Sequence, residues 1–227
     1  MEQRINELAF KKIKQILQAS EQVTEENFNN IMDFFTLYMA DTRLLQRLYY
    51  AYKKQFPSLE LHHGQDIIAF QYDKETCFIK FPNKKVEFPE ALFAKLFPYV
   101  IEITKEILPL GTVVELNPAY FNSDQQLDVP TKIVITERFI APKEYNSYFP
   151  YGGIIYPIGE IQKNTKIHFT DPLIKKIVHH GYQDEAENAF IYLMKEEFIV
   201  DKDMLSIEYS KEDMKRFETD MKKEGAI

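Results

Sequence analysis

The chain has no glycine and no proline before Pro57, and all its glycines and prolines lie from that residue onward. Both residue types interrupt helix interiors, so their distribution divides the sequence into a first part free to run as helix and a second part rich in turns. The fold class this predicts is α+β: a helical N-terminal part packed on a small antiparallel sheet or partly open barrel, with C-terminal helices. Four segments are expected. Residues 1–58 form the helical region, 59–107 a hairpin plus a helix, 108–200 an antiparallel sheet core, and 201–227 an acidic C-terminal helix.

Hydrophobic spacing fills in the helices. Ile5, Leu8, Ala9, Ile13, Ile16 and Leu17 fall on one stripe of an amphipathic helix. Thr24, followed by Glu25 and Glu26, supplies a capping hydroxyl and first-turn acids for a second. In that second helix Phe28, Ile31, Met32, Phe34, Phe35, Leu37, Tyr38 and Met39 surround the axis, which leaves two readings: a helix central to the core, or one covered by a partner. Ile67–Tyr72 and Cys77–Phe81 read as a hairpin, and Pro89 opens a helix that Pro98 is expected to bend or split. Short strands are expected at Thr112–Leu116, Lys132–Phe139, Gly153–Tyr156, Lys166–Phe169 and Ile177–His180. Asp184 with Glu187 makes a capping box, and Ser210 caps a last, highly charged helix.

Charge and composition exclude several functions. Residues 183–227 carry 13 acidic and 7 basic side chains, most of the formal charge of -7, so the chain offers no basic stripe for a phosphate backbone and no nucleic-acid partner is expected. No apolar run is long enough to cross a bilayer, and charges throughout Met1–Ala19 do not suit a signal peptide, so a cytoplasmic protein without membrane insertion is expected. A single cysteine, Cys77, excludes an internal disulfide.

No motif for catalysis stands out. The glycine spacing of dinucleotide- and phosphate-binding loops is absent, and no cofactor is expected. Adjacent histidines on a strand face opposite ways, so His62–His63 and His179–His180 cannot each chelate one ion, and Asp201 with Asp203 lacks a companion acid. No metal site is therefore expected. Cys77 sits in an apolar strand that buries it and raises its pKa, so no nucleophile is apparent and no catalytic residue is assigned.

Aromatic content is high, with 14 Tyr and 18 Phe. Phe139, Tyr145, Tyr148, Phe149, Tyr151 and Tyr156 concentrate between Arg138 and Pro157. Tyrosine joins a rigid apolar ring to a polar tip, so such a loop either recognises a partner or pins itself to the sheet. With the apolar helix, this selects Phe34, Phe35, Tyr38, Tyr145, Tyr148, Phe149 and Tyr151 as candidate partner-binding residues.

Four motifs in one order extend the reading. They are Leu108-Pro109-Leu110-Gly111-Thr112-Val113-Val114; Lys132-Ile133-Val134-Ile135 with Arg138; Gly153-Ile154-Ile155-Tyr156-Pro157-Ile158-Gly159; and Ile177-Val178 leading to Gly181-Tyr182. Over about residues 105–195 the chain resembles a family of unknown molecular function encoded beside LXG polymorphic toxins in type VII secretion loci of Gram-positive bacteria. Pro109, Gly111, Pro157 and Gly159 set turns, and Gly181 is expected to hold a backbone conformation closed to other residues. The segment Asn117–Pro130 is longer than the family pattern leads one to expect. The resemblance implies a cytoplasmic adaptor or chaperone that holds a toxin or effector before export. An immunity protein that covers a toxin's active site is the alternative, suited by the acidic C-terminal fifth. An uncharacterised hydrolase, with carboxylates assembled by the fold, is a third.

Overall fold

The computed structural model describes residues 1–20, 23–118, 131–160 and 166–223, so most of the long Asn117–Pro130 segment lies outside the described residues. The chain divides into two compact units, Met1–Lys105 and Glu106–Ile227. The α+β class holds: among the described residues six α-helices accompany two antiparallel sheets, one of four strands and one of five.

In the first unit, α1 (Glu2–Gln18) buries the expected stripe from Ile5 to Leu17, together with Lys12, whose ammonium lies 4.3 Å from the Tyr99 ring centroid. A cation over an aromatic face keeps electrostatic company while its stem is desolvated. In α2 (Glu25–Tyr38), the Thr24 hydroxyl accepts a hydrogen bond from the Asn27 N–H at 3.3 Å. In α3 (Thr42–Lys53), Asp41 does the same for Leu44 at 3.0 Å. Both caps satisfy amide donors that a helix start otherwise leaves open.

The hairpin expected from Ile67 to Phe81 is the middle of a four-stranded meander: β1 (Ser58–His63), β2 (Asp66–Tyr72), β3 (Thr76–Phe81) and β4 (Lys84–Pro89). The outer strands escaped the sequence reading because histidines and charged residues occupy much of them. Leu61 in β1, and Val86 and Phe88 in β4, nevertheless point inward and are buried. The helix α4 (Glu90–Thr104) follows, with α1 and α3 packed against it. Of the bend or split expected at Pro98, the split does not occur: the helix continues through that residue and buries residues on nearly every side.

The second unit is an antiparallel sheet in the order β8-β7-β6-β5-β9, built from β5 (Val113–Leu116), β6 (Lys132–Ile140), β7 (Phe149–Tyr156), β8 (Ile167–Phe169) and β9 (Ile174–His179). β7 starts four residues before the expected strand, so half of the supposed aromatic loop is sheet. Then come α5 (Glu185–Lys195), whose N-terminus Asp184 caps through the Glu187 N–H at 2.9 Å, a wider helical turn at Glu196–Asp201, and α6 (Lys211–Lys223).

Gly181 corrects one expectation. It does not adopt a left-handed conformation, but a Cβ there would stand 2.1 Å from the Leu110 carbonyl oxygen and 2.9 Å from the Thr112 nitrogen. Its N–H also donates to the Thr112 hydroxyl at 3.0 Å. Close backbone approach, not torsional freedom, requires glycine here. Gly181→Ala is expected to lower the unfolding free energy by roughly 1–3 kcal/mol, the usual range for overpacking, in a urea titration. A variant as stable as the parent would refute the contact.

Candidate functional site

The seven selected rings are mostly not at the surface. Phe34, Phe35 and Tyr38 are fully or almost fully buried, and of the two readings of α2 the core one is observed. Phe34 meets Phe81 with centroids 5.6 Å apart and Phe35 meets Phe97 at 5.6 Å, while Phe97 stacks on Phe93 at 3.9 Å. Tyr38 donates its hydroxyl proton to Asp66 Oδ2 at 2.9 Å.

Tyr148, Phe149 and Tyr151 are buried as well. The Tyr148 ring lies between Phe139 and Phe198, at 5.5 and 5.6 Å. Its backbone N–H donates to the Leu205 carbonyl at 3.1 Å, and its own carbonyl accepts from the Ile207 N–H at 2.9 Å. The Tyr151 hydroxyl donates to Asp171 Oδ1 at 3.0 Å and accepts from the Leu108 N–H at 3.3 Å. Phe149 packs against Phe217 of α6 at 5.2 Å, and Asp213 of the same helix accepts from the Asn146 N–H at 3.0 Å. The last helix is therefore docked on the aromatic segment. Tyr145 alone is half-exposed, at the rim of the Phe149 and Phe217 rings. An exposed face made of these rings is thus corrected to packing: their partners, Phe198 and Phe217, come from C-terminal elements whose return a local pattern does not reveal.

Several groups capable of chemistry are buried or lie beside a carboxylate. Cys77 is buried, and desolvation, with the charges of Glu90 and Asp73 adding to it, pushes its thiol up to about 12. His63 Nδ1 lies 3.1 Å from Asp41 Oδ2, and His180 Nε2 lies 3.6 Å from Glu106 Oε1. Among the described residues no group of three or more His, Cys, Asp or Glu side chains is placed to hold a metal ion.

One arrangement on the sheet brings titratable groups together. Gly152 pairs with Glu137 on one side and His168 on the other. A Cβ at Gly152 would meet the His168 ring at 3.1 Å and Glu137 Cβ at 3.3 Å, so the two side chains close over the glycine. Glu137 is ion-paired to Lys166. The half-buried His168 ring has its pKa lowered by desolvation, opposed by Glu137 and reinforced by Lys166. This leaves a neutral imidazole beside a neutralised carboxylate, a proton-accepting ring without a second free acid.

Arg138 has a structural part. Its guanidinium grips Glu187 with both nitrogens, Nη2 to Oε2 at 3.0 Å, and lies 5.1 Å from the Phe190 centroid. The planar fork matches a carboxylate and ties α5 to β6.

Large apolar side chains are exposed at several places, among them Leu37, Ile67, Tyr156 and Ile158, and one group of them gathers on β9 and α5. Ile177 and Val178 on β9, Tyr182 beyond it, and Phe190 and Leu193 on α5 all present large apolar side chains to solvent. Tyr182 is 81% exposed. Ile177, Val178 and Tyr182 belong to the sequence motifs, but only the sheet order, in which no strand among the described residues lies beyond β9, shows them as candidate contacts.

Residues 107–190 match the model of a domain of unknown function (DUF4176). No curated protein and no solved structure matches the chain. The matched span begins just before β5 and ends within α5, so it holds the whole described sheet of the second unit but neither Phe198 nor Phe217. No helix among the described residues is long and apolar enough to cross a membrane.

Two outcomes test these assignments. Tyr148→Ala is expected to cost about 3–5 kcal/mol in denaturant unfolding, the range for emptying a buried aromatic site. A near-neutral effect would return the ring to the surface. His168 is easier to protonate unfolded than folded, so its contribution is complete above the ordinary histidine pKa and is lost as pH falls below it. Stability measured between pH 7.5 and 5.5 should therefore fall less steeply in His168→Gln than in the parent; identical slopes would exclude the buried neutral ring.

Proposed function

We propose that this protein is a non-enzymatic accessory factor that binds another polypeptide, an adaptor or chaperone for a toxin or effector of a type VII secretion system, acting in the cytoplasm of a Gram-positive bacterium. The observation that carries the binding reading is the exposure of Ile177, Val178, Tyr182, Phe190 and Leu193. Large apolar groups held in water gain free energy when a second surface covers them. Their placement suits recognition. Ile177, Val178 and Tyr182 sit on or beside an edge strand, and Phe190 is backed by the Arg138 guanidinium, so its ring is ordered before any partner arrives. The secretion context rests on the resemblance of the four motifs between Leu108 and Tyr182 to the family encoded beside LXG toxins.

The immunity reading draws on the 13 acidic against 7 basic side chains of residues 183–227, which would suit a basic toxin such as a nuclease. Partner identity separates the two. Affinity purification of the full chain from its native host, followed by fragment mapping of what is retained, is expected to recover an effector through its N-terminal helical region. Retention through a C-terminal toxin region would replace the adaptor reading with immunity. A chain recovered alone, with turnover of a small molecule that a single carboxylate substitution abolishes, would replace both with a hydrolase.

A further inference from the structure

The edge of the second sheet is unusual in its exposure and its charge. β9 pairs on one side with β5, and among the described residues no strand pairs with its other side. Every residue from Lys175 to His179 is exposed and Ile174 is half-buried. An edge strand carries a row of backbone N–H and C=O groups ready to pair with an added strand. In β9 this row is flanked by Ile177 and Val178, 44% and 45% exposed, at the register irregularity between Ile177 and His179 against β5.

Charge indicates what could be added. From Pro172 to Gln183 there is no acidic residue, whereas Lys175, Lys176, His179 and His180 fall within it, in a chain whose net charge is -7. Lys175 and Lys176 are both exposed, and Lys175 is held at 2.9 Å by Glu115 of β5. We propose that the outer edge of β9 accepts an extended acidic and apolar segment of a partner chain as an added strand. The segment's backbone would complete the ladder, its carboxylates would meet Lys176 and His179, which pair with Glu115 and Val113 on one face of β5, and its apolar side chains would cover Ile177 on the other. A second copy of this chain is the poorer occupant, because β9 against β9 would crowd both lysine pairs onto one ladder with no acid between them, and like charges across strands are destabilising. The register irregularities of β9 against β5 at Val113/Val114 and Glu115/Leu116 strengthen local twist, which further disfavours flat self-pairing.

This inference names the surface and partner chemistry of the protein-binding reading and rests on it. The probe is a short peptide alternating glutamate and valine, compared with its lysine-for-glutamate counterpart, added to the intact isotopically labelled chain. The acidic peptide is expected to bind at least about tenfold more tightly at low salt, a margin that shrinks as salt screens the charges. It should also slow hydrogen exchange at alternate amides of Ile174–His179, the pattern of antiparallel pairing. In Lys176→Glu, whose site is exposed and whose folding is checked by circular dichroism, the margin should narrow or reverse. Equal affinity for the two peptides, protection that maps elsewhere, or no binding would overturn the proposal. So would a dimer, seen by sedimentation, that protects the β9 amides. A native partner retained unchanged by Lys176→Glu and by Val178→Pro would remove the edge and leave the adaptor reading standing; absence of any native partner of the parent chain would remove that reading itself.

Discussion

Burial of aromatic rings by other rings from distant parts of the chain is the constraint on which both units depend. In the first unit Phe93 and Phe97 of α4 stack at 3.9 Å, with Phe34 and Phe35 of α2 and Phe88 of β4 closing around them. In the second, Tyr148 is closed by Phe139 and Phe198, and Phe149 by Phe217. A fully buried side chain of this size is worth roughly 1.5–3 kcal/mol relative to exposure, and offset or edge-on ring pairs add to that. The gain needs material on every side of the ring, which makes it a property of tertiary assembly.

The matched span stops short of the rings that close this packing. Residues 107–190 contain the described strands of the second sheet, but Phe198 and Phe217, which cover its aromatic segment, lie outside them. The C-terminal elements thus complete the packing of a sheet they do not belong to. Their attachment is polar as well as apolar, through the Tyr148 backbone bonds to Leu205 and Ile207 and through Asp213 capping Asn146. With those rings occupied internally, the apolar groups that the second unit leaves in solvent include Ile177 and Val178 of β9 and Phe190 and Leu193 of α5.

Polar side chains in both units work as fasteners. Asp41, Asp184 and Ser210 cap helix starts, Tyr151 bridges Asp171 and Leu108, and Arg138 fixes α5 by clamping Glu187. Each satisfies donors that burial would otherwise leave open. Cys77 is the limiting case of the same economy of environment: an apolar strand position makes its thiol a packing group and removes it as a nucleophile.

Local chemistry in the sequence was enough to determine the helical N-terminal part, the caps at Thr24, Asp184 and Ser210, the amphipathic stripe of α1 and the five strands of the second sheet, because periodicity and capping act over a few residues. It also marked Gly181 as special, though the reason lies in the Leu110 carbonyl, which only chain return brings near. The outer strands β1 and β4 were hidden by their polar faces. The selection of Phe34, Phe35, Tyr38, Tyr148, Phe149 and Tyr151 as contact residues misjudged their exposure, since a sequence lists rings without saying what covers them. Which rings are covered and which edge stays open was decided by strand order and by the return of Phe198 and Phe217, contacts between residues far apart in the chain that no local pattern encodes.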